Sequence, residues 1–194
     1  KFIDKEVNPR VDEWEEHTVP LHDLFRKMGD LGLLGIRYDP KYGGQGLDYW
    51  FETVLLEEIG HIRSIGFSTA IAVQTNMATP AIASYGSEYL KNTYLRGAIS
   101  GDMVTAIAVT EPDAGSDVFA IRTRAARDGD SYVINGSKTF ITNGTQADFL
   151  TLLARSGDDP GYHSFSLFVV PTNLPGFSVS KKLDKVGLRS SDTA

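Results

Sequence analysis

A chain of 194 residues, 41% hydrophobic and 23% charged, has the make-up of a globular protein and the length of one large domain or two small ones. Its net charge of −6 excludes the basic footprint of a nucleic-acid binder, its lack of cysteine excludes disulfides and zinc–thiolate sites, and no apolar run approaches the roughly 18 residues of a membrane helix. The four histidines, His17, His22, His61 and His163, show no metal-ligand spacing, so no metal site is expected, and the charged opening Lys1-Phe2-Ile3-Asp4-Lys5-Glu6 has no secretory pattern.

The first half has helical periodicity. Leu21, Leu24, Phe25, Met28 and Leu31 recur at three and four residues and predict one helix face, ended by Gly32 and Gly35. Tyr42-Gly43-Gly44-Gln45-Gly46 reads as a loop. With no strand before it and no Lys-Ser/Thr after it, it does not read as a P-loop. A helix is expected from about Asp48 to Ile62, with Phe51, Val54, Leu55, Ile59 and Ile62 facing inward and Glu52, Glu57, Glu58 and His61 in solvent. Phe67 to Tyr85 is nearly all apolar or small and reads as a buried helix. Ser87 is expected to cap a shorter helix carrying Tyr89, Leu90, Tyr94 and Leu95, closing near Gly97.

After Asp102 the apolar period changes from three or four to two. A domain boundary is expected there, with an all-α helical domain over residues 1–102 and a β domain over residues 103–194. Met103 to Val109 predicts a strand. Val118 to Arg127 predicts another, with Phe119, Ile121 and Thr123 on one side and Arg122 and Arg124 on the other. Asp128-Gly129-Asp130 reads as a hairpin turn, Tyr132 to Ile134 as a short strand and Asn135-Gly136 as a second hairpin turn. Phe149 to Ala154 and Phe165 to Val170 are two more strands, linked by the polar segment Ser156 to Tyr162. Strands joined by short turns predict an antiparallel sheet or barrel.

Two stretches in this half point to chemistry. Thr110-Glu111-Pro112-Asp113-Ala114-Gly115-Ser116-Asp117 follows the apolar strand ending at Val109 and packs carboxylates, hydroxyls, a proline and a glycine into one loop. Hydroxyls and free backbone N–H groups after a strand suit a carbonyl-rich ring or a phosphate. Taken alone, the loop reads as a polar turn. The second stretch is Asn135-Gly136-Ser137-Lys138-Thr139-Phe140-Ile141-Thr142-Asn143-Gly144. Together the two resemble the acyl-CoA dehydrogenase family, whose signatures run Thr-Glu-Pro-x-Ala-Gly-Ser-Asp and Asn-Gly-x-Lys-x-aromatic-Ile-Thr-Asn-Gly. Glu6-Val7-Asn8-Pro9, Gly32-Leu33-Leu34-Gly35, Tyr42 to Gly46, Tyr85-Gly86-Ser87-Glu88 and Gly187 to Thr193 fit the same family in order, so the resemblance covers nearly the whole chain.

The resemblance implies an FAD-dependent enzyme. It would oxidise a fatty acyl-CoA thioester to the trans-2-enoyl-CoA, with hydride passing to flavin N5 and electrons to an electron-transfer flavoprotein. It further implies a homodimer or homotetramer, placed in the cytoplasm of a bacterium or the mitochondrial matrix of a eukaryote. Ile107, Ala108, Val109 and Thr110 would lie along the flavin edge, with Val109 and Thr110 donating to its pyrimidine part. Phe140 would cover a ring face beside Ile141, and Thr142 would place its hydroxyl near N5. Thr139, three residues earlier on the same expected strand, would face the opposite way. Gly115 and Ser116 would lie where cofactor meets substrate, and Ser116 would touch both. Tyr162 and His163 would line the CoA moiety. Glu111 and Asp117 read as structural, ordering the loop and capping N–H groups, and Arg189 as an ion-pair partner. No catalytic residue is expected in this chain. The family's base is a glutamate on a C-terminal helical domain, beyond Ala194, so the chain reads as incomplete. Residues 136–142 stand somewhat closer to the long-chain group. Two alternatives share the signatures: a flavin acyl-CoA oxidase or monooxygenase on the same scaffold, and a non-catalytic acyl-CoA-binding homologue.

Overall fold

The structure, a computed structural model, describes residues 1–159 and 161–194. Helices come first: α1 (Val11–Glu16), α2 (Leu21–Asp30), α3 (Tyr49–Ile59), α4 (Ile65–Ala72), α5 (Pro80–Tyr85), α6 (Glu88–Leu90) and α7 (Arg96–Ser100). Strands follow: β1 (Thr105–Ala108), β2 (Arg124–Asp128), β3 (Ser131–Asn135), β4 (Phe149–Arg155) and β5 (Phe165–Pro171). A helical domain therefore precedes a sheet-containing one.

α2 forms where the spacing predicts it. Leu21, Leu24, Phe25 and Met28 are buried, and Gly32, at φ 71°, follows the helix end. Burying each of these side chains is worth roughly 1.5–3 kcal/mol, so packing rather than propensity holds this ten-residue helix. Phe25 stacks on Phe67 at 6.3 Å between ring centroids, and Trp14 meets Phe67 edge-on at 5.9 Å.

α3 starts at Asp48, whose carboxylate accepts from the Trp50 N–H at 3.0 Å. Its inward face differs from the expected one. Glu52, Leu55, Ile59 and the following Ile62 turn inward, while Phe51 and Val54 are 54% and 58% exposed. Glu52 is admitted to the interior because it pairs with Arg37 and accepts from Asn76 Nδ2. Apolar periodicity treats a glutamate as solvent-facing and cannot anticipate such partners.

The apolar run from Phe67 to Tyr85 is helical but interrupted. A π turn over Val73–Ala78 separates α4 from α5, and Pro80 opens α5. Gln74 in that turn is buried. Its amide donates to the carbonyls of Ala98 and Met103 and accepts from the Thr105 N–H, tethering the helices to the base of β1. Ser87 caps α6 through the Leu90 N–H, but the helical path runs on past Gly97 to Gly101. Gly97 lies against Met103, where a Cβ would come within 2.8 Å of the sulfur; Gly101, at φ 77°, makes the turn.

β4 is the strand on which the sheet is assembled. β5 pairs with it antiparallel, from Phe149–Pro171 to Arg155–Phe165. β1 lies parallel to it from Thr105–Phe149 to Ala108–Leu152, and β2 meets it in parallel at Arg124–Arg155. β3 returns antiparallel on β2 across Gly129. The expected antiparallel pairing thus holds for β2–β3 and β4–β5, and the sheet as a whole is mixed. Parallel neighbours need a long connection; residues 109–148 supply it and carry both motif stretches.

Two local expectations are corrected. The strand expected over Val118–Arg127 begins only at Arg124. Val118–Ala120 is a 3₁₀ turn started by Asp117, whose carboxylate accepts from the Phe119 N–H at 3.1 Å. Asn135-Gly136 makes no hairpin, since neither residue has the positive φ of a type I′ turn. The chain is instead drawn toward the loop after β1. Of the expected linker Ser156–Tyr162, Pro160 lies outside the described residues.

Candidate functional site

Glu111 is the anchor of the loop after β1. Its N–H and C=O exchange hydrogen bonds with Ala114 at 2.9 and 3.2 Å, closing a tight turn. Its buried carboxylate accepts from the Arg122 N–H at 2.6 Å, the Thr123 N–H at 3.0 Å and Lys138 Nζ at 2.8 Å. Burial is the largest single influence and pushes the carboxyl up. The hydrogen bonds, led by that from the Arg122 amide, outweigh it and hold the group at about 2. Glu111 is thus a charged structural post, and Asp117 a turn cap, as their residue types suggest.

The second stretch is strung across this loop. Lys138 Nζ also donates to the Val109 carbonyl at 2.8 Å, and the Thr139 N–H donates to the Thr110 carbonyl at 2.9 Å. Phe140 then takes φ 57°, a left-handed backbone, and the residue is 66% exposed. Ile141 and Ala194 exchange N–H···O bonds at 2.8 and 2.9 Å. Asn143, at φ 66° and fully enclosed, donates from Nδ2 to the carbonyls of Ala70 and Thr105. No regular strand runs through residues 136–141, so the opposite-face argument for Thr139 fails: a strand partner is replaced by separate tethers to β1, its loop and the Ser190–Ala194 segment.

That last segment is itself buried. Glu15 on α1 accepts from the hydroxyls of Ser64 and Ser190 and the amides of Arg189 and Ser190. Asp192 accepts from the Thr145 and Gln146 amides. Arg189 pairs with Asp184 at 2.9 Å.

Val109, Thr110 and Phe140 are therefore brought together, with Thr142 two residues further on. Ile107, Val109, Thr110 and Thr142 are half-buried, and Gly115 and Ser116 are exposed. Ala108 and Ile141 belong to the core of the sheet, so only their backbones are available to a ligand. Tyr162 and His163 sit on the separate turn Gly161–Ser164, exposed, with ring centroids 4.2 Å apart. Among the described residues, neither the Thr110 amide nor the hydroxyls of Thr110, Ser116 and Thr142 have a protein partner. A Cβ placed on Gly115 would meet nothing within 4 Å, so the space above it is open. Unpaired donors beside an exposed aromatic ring suit a planar ring rich in acceptors.

Lys138, Asn143 and Gln74 build this arrangement, yet residue type alone marks none of them. The available signal was opposite charge at Glu111 and Lys138 in two stretches of one site. Among the described residues no cluster of His, Asp or Glu could hold a metal ion, and no helix is long and apolar enough to cross a membrane.

The family profiles described as acyl-CoA dehydrogenase, N-terminal domain, and acyl-CoA dehydrogenase, middle domain, match residues 1–102 and 106–194. The chain is similar to the acyl-CoA dehydrogenase of Bacillus subtilis (strain 168), with 39% identity over 192 residues, 99% of this chain and 50% of the relative. It is similar to the mitochondrial long-chain specific acyl-CoA dehydrogenase of Sus scrofa, with 38% identity over 197 residues, 100% of this chain and 45% of the relative. It superposes on the crystal structure of a glutaryl-CoA dehydrogenase from Mycobacterium smegmatis in complex with FADH2, with a TM-score of 0.85 and 37% identity, covering 99% of this chain and 48% of that one. The chain spans about half the length of the curated relatives it matches.

Proposed function

The chain belongs to the acyl-CoA dehydrogenase family, and from that membership we propose that it forms the flavin-binding and thioester-binding part of an FAD-dependent fatty acyl-CoA dehydrogenase. The observation that carries the reading is the Thr110 amide and hydroxyl, without a protein partner among the described residues and tethered through Thr139 beside the exposed Phe140, with the hydroxyls of Ser116 and Thr142 likewise unpartnered on the same two stretches. These residues fit a flavin, which presents a flat apolar body and a polar edge. FAD, when bound, would supply the two-electron acceptor for the hydride leaving Cβ, while the proton at Cα would pass to a base.

In this reading the residues of the chain bind and orient. Val109 and Thr110 hold the pyrimidine edge through backbone and hydroxyl donors, and the backbones of Ile107, Ala108 and Ile141 line it. Phe140 covers a ring face, and Thr142 offers its hydroxyl to N5. Donors placed where charge gathers on reduction favour the reduced state. Ser116, next to the open space at Gly115, contacts cofactor and substrate together, and Tyr162 and His163 flank the CoA moiety. Glu111 is unfit as the proton-abstracting base, because its lone pairs are committed and its carboxyl is held at about 2. We assign the base to a glutamate outside residues 1–194. The same reading carries a domain division at residues 1–102 and 103–194, an electron-transfer flavoprotein as electron acceptor and a homodimeric or homotetrameric assembly. It places the enzyme in the cytoplasm of a bacterium or the mitochondrial matrix of a eukaryote. Relatives named for long-chain and glutaryl substrates match at 38% and 37% identity, so overall identity does not choose the acyl group.

Anaerobic titration of the full-length protein tests the proposal. Bound FAD whose visible absorption bleaches on adding fatty acyl-CoA is expected, and a chain-length series then ranks the substrates. Rapid peroxide release in air would reassign the protein to the oxidases. A full-length protein that binds no FAD would overturn the proposal.

A further inference from the structure

We propose that Lys138 is a positioning residue for the flavin site, fixing the direction and the donor strength of the Thr110 amide. The inference rests on the reading above, in which Thr110 faces the flavin edge.

The argument begins with burial. The Lys138 side chain is 8% exposed and that of Glu111 is 6% exposed. An ion pair this enclosed is weak grounds for a stabilising role, since apolar side chains of similar volume often serve as well. The contact that distinguishes Lys138 is its other one, to the Val109 carbonyl at 2.8 Å. That carbonyl and the Thr110 N–H belong to one planar, trans peptide unit, so they point in opposite directions. Holding the oxygen from one side aims the hydrogen to the other.

The next peptide unit is held in the same way, because the Thr110 carbonyl accepts from the Thr139 N–H at 2.9 Å. Both peptide planes flanking Thr110 are thus set by consecutive residues of the stretch that leads into Phe140. Donor and ring share one frame, and a shift of one moves the other.

A cation on a carbonyl also polarises its peptide group and strengthens the opposite N–H as a donor. Glu111 balances the charge of Lys138, so the site gains a polarised amide without a net buried charge. Glu111 keeps its two backbone donors, from Arg122 and Thr123, when the lysine is removed. Lys138→Met is therefore expected to fold.

The test uses flavin-loaded full-length protein. Lys138→Met is expected to bind FAD about tenfold more weakly, the effect of one lost hydrogen bond to a charged group. Its flavin midpoint potential should be more negative, and its Thr110 amide should exchange faster with solvent. Lys138→Arg, which keeps the charge, should recover part of the potential. If Lys138→Met does not fold, the double variant Glu111→Gln/Lys138→Met, which leaves no buried charge, is read in the same way. A folded variant with wild-type FAD affinity and potential would overturn the role of Lys138 alone. A wild-type protein that binds no FAD would overturn the flavin reading and this inference with it.

Discussion

Thr142 carries a hydroxyl with no partner among the described residues, two positions after the exposed ring of Phe140. Thr142→Val keeps its shape and removes the donor. Loss of one preorganised donor at a reacting centre costs about 2 kcal/mol, so flavin reduction by substrate should slow roughly thirtyfold. FAD content should not change. Stopped-flow bleaching measures the rate, and equal rates in variant and wild type would remove Thr142 from the site. Thr139→Val should be nearly silent, because Thr139 contributes its backbone N–H and valine retains it. Glu111 gives a prediction in pH. Its folded carboxyl is held at about 2 against an ordinary 4.5, so its stabilisation is complete above pH 4.5 and is lost as pH falls from 4.5 toward 2. Urea midpoints of wild type should fall across that window more steeply than those of Glu111→Gln, and parallel curves would exclude this contribution.

Gly101, which ends a helix, and Gly115, in the loop after β1, make a contrasting pair. At Gly101 a Cβ would lie 2.0 Å from the Phe25 carbonyl oxygen, on a backbone at φ 77°. Strain and crowding together make Gly101→Ala destabilising by roughly 3 kcal/mol, lowering Tm by about 6–12 °C. Gly115→Ala meets no atom and has no positive φ, so Tm should hold while FAD or acyl-CoA binding weakens. Calorimetry and ligand titration on the two variants separate fold from site. Legibility divides along the same line. α2 was readable from its own periodicity, and β4 and β5 from their own apolar runs. The inward face of α3 was not, because the choice rests on Arg37 and Asn76. In the site, the hydroxyls and the aromatic were visible as residue types. The frame holding them was not, since Lys138 reaches back 29 residues to Val109 and Asn143 reaches 73 to Ala70. Asn135-Gly136 misled for the same reason, a local turn preference yielding to distant contacts.

At the scale of the molecule, the change of period after Asp102 was enough to foresee helices followed by a sheet, but not that β1 and β2 would join β4 in parallel. That pairing leaves the 109–148 connection free to fold over the end of β1, and Gln74 and Asn143 tie the helical half to Thr105 at its base. On the proposed flavin-binding reading, global stability and binding pull apart at Phe140. A phenylalanine at φ 57° costs about 1–2 kcal/mol over a residue at ease there, and its ring is left in solvent. Phe140→Asn should therefore raise Tm by about 2–8 °C while weakening FAD binding, and an unchanged Tm would show that the backbone is not strained. Any programme of thermostabilisation, natural or engineered, that scores variants by melting alone would discard this aromatic early and breed a sturdier protein with an emptier shelf.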